Sequence, residues 1–214
     1  MLIVFSGTDG AGKSTQIELL ERALRGRGAS VRRVWIRGGY TPGFAALKGL
    51  VRRFRPQALP KPGASSERTL TFASSRVRRV WLTLALLDLL LLTALVLRVR
   101  VAMGRTVLCD RYLEDSLLDF RRNFPQEEVA DWWLWRVLAQ CAVKPTHQFL
   151  LLVRPAESAR RSRLKDEPFP DSPETLAWRY DAYRALGAGG GWQVIDCERS
   201  IAAVQREIAA KVGV

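Results

Sequence analysis

Residues 7–14 constrain the fold of this chain more than any other part of its sequence. They spell GTDGAGKS and fit the pattern G-x-x-x-x-G-K-[ST]. An apolar run at residues 2–5 precedes them, and Ile17, Leu20 and Leu24 follow at helical spacing. In a strand–loop–helix context, such a loop wraps its backbone N–H groups around phosphate oxygens. The sequence therefore predicts a phosphate-binding loop near the start of the chain.

The loop predicts the class of ligand but not the use of its terminal phosphate. Lys13 is expected to reach the terminal phosphates of ATP, and the Ser14 hydroxyl to ligate Mg²⁺. The other residues expected to contact ATP in this region are Gly7, Asp9, Gly10, Ala11, Gly12 and Thr15. The sequence lacks the Asn-Lys-x-Asp pattern with which regulatory GTPases select guanine. A chain of 214 residues with arginine-rich loops favours a kinase for a small acceptor.

Hydrophobic periodicity predicts the fold class. Apolar runs typical of buried strands lie at residues 2–5, 31–36, 106–109, 148–153 and 192–196. Helical patterns lie between or after them, at residues 14–25, 129–142, 174–186 and 201–212. Strands that alternate with helices predict a parallel sheet covered on both faces. We expect residues 1–214 to form a single domain, because the proline-rich stretch near residue 60 is typical of a loop.

The net charge and the cysteines indicate which binding partners and which cellular compartment to expect. The net charge of +13 indicates polyanionic partners, and the alternative is a solvated basic surface. No nucleic-acid-binding motif accompanies the charge, so no specific nucleic acid is expected. Cys109, Cys141 and Cys197 lack metal-ligand spacing, and no signal peptide is evident at the start of the sequence. These features predict reduced thiols and a cytoplasmic protein.

An apolar stretch at residues 80–97 has the length of a short membrane span. Asp88 would then lie near the bilayer centre, at a cost of about 2.5–3.5 kcal/mol. Arginines flank both ends of the stretch, so they give no orientation signal. We therefore expect a helix buried in the core or at a dimer interface, with no membrane span, and keep a membrane-associated protein as the alternative.

Residues 6–16, SGTDGAGKSTQ, resemble the phosphate-binding loop of thymidylate kinases, including its internal acidic residue. Four further stretches resemble the same family in the same order: residues 37–43, RGGYTPG; 72–76, FASSR; 109–112, CDRY; and 160–165, RRSRLK. The resemblance covers nearly the whole chain. It implies a three-layer P-loop NTPase fold with a five-stranded parallel sheet in the order 2-3-1-4-5 and helices on both faces. It also implies a lid at about residues 155–173 and a homodimer, for which the apolar stretch is suited.

The resemblance implies roles for individual residues as well. Asp9 would hydrogen-bond the sugar hydroxyl of the acceptor, and Arg37 and Arg111 would hold its phosphate, because guanidinium groups chelate phosphate oxygens bidentately. Asp110 would hold Mg²⁺, through water. The cations of the lid would close over the donor phosphates; they are Arg160, Arg161, Arg163 and Lys165. The candidate catalytic residues are then Lys13, Asp9, Arg111, Arg160, Arg161 and Arg163.

For the acceptor base, the resemblance implies that Phe72 stacks on the ring and that Arg76 donates to a base oxygen. Each of these assignments has a plainer alternative. Phe72 is also suited to a core, Arg76 to a basic surface, and the arginines at residues 160–163 to a solvated helix face.

Four positions depart from the family pattern. Ala11 stands where some members carry an arginine, which favours a lid arginine as the transition-state cation. Asp119 falls where an aromatic residue is expected against the deoxyribose and joins the candidate acceptor-binding residues; Phe120 replaces a glutamine, and Ser75 an aspartate.

The donor half of the site therefore matches the family better than the acceptor half. The predicted reaction is ATP + dTMP to dTDP + ADP, in nucleotide biosynthesis. One alternative is a kinase of the same fold for another nucleotide, a sugar or a specialised metabolite. A second alternative is a non-catalytic module that binds nucleotides or nucleic acid.

Overall fold

A computed structural model describes residues 1–41, 43–45, 49, 53, 72–164 and 171–214. Its strands are β1 (Leu2–Gly7), β2 (Val31–Trp35), β3 (Thr106–Asp110), β4 (His147–Leu152) and β5 (Gln193–Asp196). All neighbouring strands are parallel, and their order is β2-β3-β1-β4-β5. The predicted sheet order is confirmed, and each strand overlaps the apolar run that predicted it.

Helices cover both faces of the sheet. Within the described residues they are α1 (Lys13–Gly26), α2 (Ser75–Leu90), α3 (Leu97–Ala102), α4 (Leu113–Asn123), α5 (Trp133–Cys141), α6 (Pro155–Leu164), α7 (Pro173–Ala188) and α8 (Ile201–Val212). Successive residues of a strand face opposite sides, so Ile3 and Phe5 pack with α1 and α8 while Leu2 and Val4 pack with α2 to α5. These three layers confirm the predicted fold class, that of a P-loop NTPase.

The apolar stretch forms one long helix, which we call the apolar helix (Ser75–Ala102). It consists of α2, a π-helical segment (Leu91–Val96) and α3. Its inner face is fully buried at Leu82, Leu86 and Leu89. By length and composition alone, the helix is able to cross a membrane, but Asp88 turns toward the protein and accepts a hydrogen bond from Thr41.

Local structure differs from the prediction at two places. The helical pattern of residues 129–142 begins as a 3₁₀ turn (Val129–Asp131), and α5 starts only at Trp133. The reason is Trp132, whose indole N–H donates to the Glu127 carbonyl over 2.7 Å and whose backbone is extended. Helices α4 and α6 lie outside the predicted helical intervals, and both begin just beyond the carboxyl end of a strand.

Candidate active site

The phosphate-binding loop follows β1, and its backbone requires glycine. Gly7, Gly10 and Gly12 have φ values of +131°, +72° and +84°, in the region that residues with a Cβ rarely adopt. A Cβ on Gly7 would also lie 1.9 Å from the Leu151 carbonyl oxygen. The Ser158 hydroxyl donates to the Asp9 carbonyl over 2.7 Å, which fixes the loop to α6. The loop is therefore shaped before any phosphate arrives.

Lys13 lies folded over this loop. Its ammonium group donates to the carbonyl oxygens of Gly7, at 3.0 Å, and Thr8, at 2.8 Å. It also lies 3.5 Å from the Asp9 carboxylate. Burial lowers the pKa of Lys13, and Arg111 lowers it further. A cation held this way is placed to exchange loop carbonyls for the oxygens of a bound phosphate.

Arg111 follows the last residue of β3 and is the centre of a buried ionic network. Its φ of +70° is unusual for a residue with a side chain, and such strain is found most often at functional sites. One Nη donates to the Asp9 carboxylate, and the other donates to the Tyr183 hydroxyl over 3.1 Å. Tyr183 in turn donates to Asp115 over 2.6 Å. Asp115 also accepts from the Ser6 hydroxyl, so Arg111 is anchored from three elements of the fold.

The charges in this network shift one another's pKa values. Burial acts to raise the pKa of Asp9, but Lys13 and Arg111 outweigh it and bring the value down to about 2. Burial acts to lower the pKa of Arg111, which Tyr183 and Asp115 nevertheless raise above its ordinary value. Burial and the neighbouring Asp115 both raise the pKa of Tyr183, so this side chain stays a neutral hydroxyl. Asp9 and Arg111 are therefore a permanently charged pair at neutral pH.

Ser14 and Asp110 line one cavity together with the phosphate-binding loop. The Oδ1 atom of Asp110 is buried and has no hydrogen-bond partner, and burial raises the pKa of this carboxyl group. A buried carboxylate oxygen without a protein partner is satisfied by a bound cation or by water. Hydroxyl and carboxylate oxygens are the ligands that Mg²⁺ prefers, so these two residues fit Mg²⁺ beside a bound phosphate.

A cavity of about 260 Å³, the Arg37 cavity, opens between the residues after β2 and helices α4 and α7. Asp119 lies in its wall and accepts hydrogen bonds from Arg37 over 2.6 Å and from Arg179 over 3.0 Å. Trp81 and Phe124 contribute aromatic surface to the same cavity. The cavity thus has both ionic and aromatic groups in its wall, which suits a ligand with an anionic group and a flat ring.

A third cavity, of about 330 Å³, lies against the phosphate-binding loop, and we call it the Arg161 cavity. The Arg161 guanidinium donates to the carbonyl oxygens of Gly10 and Cys197, each over 3.0 Å, and to Glu157 over 2.6 Å. It joins the phosphate-binding loop to the segment after β5. The neighbouring Gly10, Ala11, Gly12 and Thr15 line the same cavity, as expected for residues that contact ATP.

The remaining predicted residues lie apart from these cavities. Phe72 packs edge-on against Trp81 and Phe124, with ring centroids 5.7 and 5.2 Å away, and is not among the residues that line the Arg37 cavity. Arg76 is exposed on the first turn of α2. On the outer side of α6, Arg160 pairs with Glu157 and Arg163 is exposed. Lys165 lies outside the described residues.

Three residues of the site were not predicted from the sequence: Asp115, Arg179 and Tyr183. Asp115 stands four residues after Arg111, a spacing that brings two side chains together on a helix, and this signal was available. Arg179 and Tyr183 come from α7, far along the chain, and only the packing of α7 against α4 brings them to the site. Tyr183 is fully buried on a helix of mixed composition, as an ordinary core residue would be, so its sequence position gave no hint of a site role.

Comparison with known proteins agrees with this architecture, although no family model matches the chain. The thymidylate kinase of Leifsonia xyli is 30% identical over 221 residues, which cover 99% of this chain and 94% of that protein. The thymidylate kinase of Roseiflexus sp. is 28% identical over 99% of this chain and 93% of its own length. That of Bifidobacterium longum is 27% identical, with 99% and 97% covered. With the phosphate-binding loop, the sheet order and near-complete coverage in agreement, this chain belongs to the thymidylate kinase family.

Proposed function

We propose that the protein transfers the terminal phosphoryl group of ATP to a nucleoside monophosphate, with dTMP as the first candidate acceptor. The observation that carries the proposal is the shared contact at Asp9. Its carboxylate meets Lys13 of the donor loop and Arg111 of the acceptor side. A donor phosphate at the loop and an acceptor phosphate at Arg111 then lie next to each other, which is the arrangement that direct transfer needs.

Each half of the site supports one part of this reaction. Lys13 neutralises the donor phosphates, and Arg161, which donates to the Gly10 carbonyl of the loop, is the proposed lid cation for the donor. Arg37 and Arg111 bind the phosphate of the acceptor, and the Asp9 carboxylate accepts a hydrogen bond from the sugar hydroxyl of the acceptor. Phe72 and Arg76 stay proposed contacts of the acceptor base, and Arg160, Arg163 and Lys165 proposed cations of the lid. The protein forms no covalent bond to the phosphoryl group, so the proposed catalysis consists of positioning and charge neutralisation.

Ser14 and Asp110 are the proposed magnesium ligands, the latter through water. Mg²⁺ held there would neutralise charge on the donor phosphates. The unpartnered Asp110 oxygen, in a cavity that Ser14 also lines, supports this assignment.

The first test is ADP release from Mg·ATP in the presence of single acceptors. The panel holds dTMP, dUMP, the other nucleoside monophosphates, several sugars and several sugar phosphates. We expect dTMP to stimulate ADP release in the wild type and to have no effect in Lys13→Ala. If no nucleoside monophosphate stimulates release while ATP still binds, the proposal is wrong.

A second candidate is a kinase of the same fold for a different phosphorylated acceptor, and Asp119 is the observation that favours it. The family pattern places an aromatic residue here, whereas this chain buries a carboxylate paired with two arginines. A polar wall of this kind suits an acceptor with more hydroxyl groups than deoxyribose has. In the same panel, a response to a sugar phosphate with dTMP silent would select this candidate.

We further propose that a second copy of the chain covers the outer face of the apolar helix. Within the described residues, this face exposes Leu87, Leu91, Leu95 and Val99, which follow one another at helical spacing. We expect a dimer mass by light scattering for the wild type and for Val194→Glu, an exposed apolar site on β5, but a monomer for Leu91→Glu. A wild-type monomer would refute the dimer.

We infer a cytoplasmic, membrane-free location from the same helix. Its inner face is buried in the protein, and Asp88 bonds to Thr41 instead of facing outward. After lysis without detergent and high-speed centrifugation, we expect the protein in the supernatant. Recovery only with detergent would favour a membrane association.

A further inference from the structure

Arg179 is a buried arginine in the wall of the Arg37 cavity, and neither motif nor resemblance assigned it a role. It lies on α7 and is 8% exposed. Its Nη1 donates to Asp119 over 3.0 Å, and its Nε donates to Asp171 over 2.9 Å. Among the described residues, no atom accepts a hydrogen bond from its Nη2. The side chain is therefore held in place on two sides with one N–H-bearing nitrogen left over.

The ion pair of Arg179 and Asp119 needs an explanation other than stability. Taking two charges out of water costs about as much as their attraction returns, and well-packed apolar residues are often equally stable. Asp119 is shared, because its second oxygen accepts from Arg37 over 2.6 Å. One carboxylate thus holds two guanidinium groups side by side in the wall of one cavity. Paired guanidiniums in a fixed orientation are typical of phosphate recognition.

Arg179 also lies near the phosphate-binding loop. Its charge is among those that lower the pKa of Asp9, after the larger effects of Lys13 and Arg111. Asp9 is the residue at which the donor and acceptor sides meet. Tyr183 lies four residues further along α7 and accepts a hydrogen bond from Arg111, so Arg179 lies on the face of α7 that turns toward the proposed acceptor phosphate.

We propose that Arg179 binds the acceptor phosphate together with Arg37, and that Asp119 and Asp171 are positioning residues that orient its guanidinium. The proposal rests on the proposed function, and it adds a residue from the helix after the lid to the acceptor site. Before the phosphate binds, the negative charges of Asp119 and Asp171 balance the positive charges of the two arginines. Within the described part of the chain, no atom accepts a hydrogen bond from Nη2 of Arg179 or from either Nη of Arg37. A phosphate therefore joins the cluster without removing either ion pair.

The test compares dTMP with thymidine, which lacks the phosphate, by titration calorimetry. We expect Arg179→Ala to weaken dTMP binding by about tenfold or more, the loss of one charge-assisted hydrogen bond, and to leave thymidine binding unchanged. Guanidinium ion at millimolar concentration should restore dTMP binding to Arg179→Ala. Arg184→Gln is the matched control, because Arg184 is exposed on the same helix, and it should bind both ligands like the wild type.

Several outcomes would overturn the assignment. An equal loss of affinity for dTMP and thymidine would mean that Arg179 supports the nucleoside pocket or the fold. An unchanged affinity for dTMP would mean that Arg179 does not contact the acceptor phosphate. If Arg179→Ala does not fold, Arg179→Lys replaces it, since lysine keeps the charge but loses the paired geometry; the same preferential loss for dTMP is expected.

Failure of dTMP itself is separable from failure of this proposal. If the wild type does not bind dTMP, the proposed acceptor is wrong, and inorganic phosphate then becomes the probe, on protein whose loop is filled with Mg·ADP. Binding to the wild type and to Arg184→Gln, with a loss in Arg179→Ala, supports the assignment. Equal binding to all three proteins, or no binding to the wild type, overturns it.

Discussion

Removal of one hydroxyl, by Tyr183→Phe, tests whether the network around Arg111 holds the site together. Tyr183 is fully buried, and its hydroxyl both donates to Asp115 over 2.6 Å and accepts from Arg111 over 3.1 Å. The ring itself packs on Leu118 and Leu150, so the substitution keeps the apolar contacts. Only the two polar contacts are lost.

The expected loss of stability depends on the hydrogen bonds that Asp115 keeps in Tyr183→Phe. Hydrogen bonds to charged groups contribute about 1.5–3 kcal/mol each. Asp115 still accepts from Ser6, from the backbone N–H of Tyr112 and, over 3.5 Å, from Arg111, so its charge keeps three donors. We therefore expect a loss of about 2 kcal/mol in the free energy of unfolding, or about 4–8 °C in Tm for a domain of this size.

The assays are thermal unfolding and steady-state kinetics. Tyr180→Phe is the matched control, because Tyr180 lies on the same helix and its hydroxyl makes no hydrogen bond within the described residues. We also expect kcat/KM for the acceptor to fall by about tenfold, since Arg111 loses one of its anchors. A Tm for Tyr183→Phe equal to that of Tyr180→Phe would refute the reasoning.

Other predictions concern acid, the loop and the thiols. The pKa of Asp9 lies at about 2 instead of 3.8, so its negative charge contributes stability that is fully present above pH 4 and is lost as the pH falls toward 2. Asp9→Asn should therefore flatten the acid side of the curve of unfolding free energy against pH. An unchanged slope on that side would contradict this. Gly7→Ala should prevent folding or nucleotide binding, because its Cβ would overlap the Leu151 carbonyl, whereas Gly26→Ala, with open space around it and no left-handed backbone, should cost far less. A thiol reagent at neutral pH should label Cys141, which is exposed, before the two buried cysteines, and labelling of all three at one rate would argue against the fold.

The parts of the fold that local sequence encodes were predictable. The alternation of short apolar runs with helical patterns gave the strands, because buried parallel strands need continuous apolar residues. The phosphate-binding loop was predictable for a similar reason, since Gly7, Gly12 and Lys13 lie within a few residues of one another and their backbone needs are local. The start of α5 was less predictable, because a local hydrogen bond from the Trp132 indole to the Glu127 carbonyl delays it.

The acceptor side depended on contacts between distant residues. Arg179 reaches Asp119 across 60 positions of sequence, and Tyr183 reaches Asp115 across 68. Nothing in the local pattern of α7 marks these side chains as site residues, because arginine and tyrosine are ordinary on a half-exposed helix. The predicted roles of Phe72 and Arg76 stay untested for a related reason, since the resemblance supplied their roles but not the position of a ligand.

The shared carboxylate of Asp119 restricts the order in which this site can change. Replacing Arg179 alone removes one of the two partners of the buried Asp119 carboxylate, and replacing Asp119 alone leaves two guanidinium groups facing each other. Either change breaks a buried ion pair, at a cost of about 3–5 kcal/mol in the free energy of unfolding. Changing both residues together to well-packed apolar side chains avoids most of that loss. During evolution, an exchange between an aromatic residue and an aspartate at position 119 therefore requires a change at the distant position 179 at nearly the same time. Chimeras that exchange α7 between relatives should carry α4 with it.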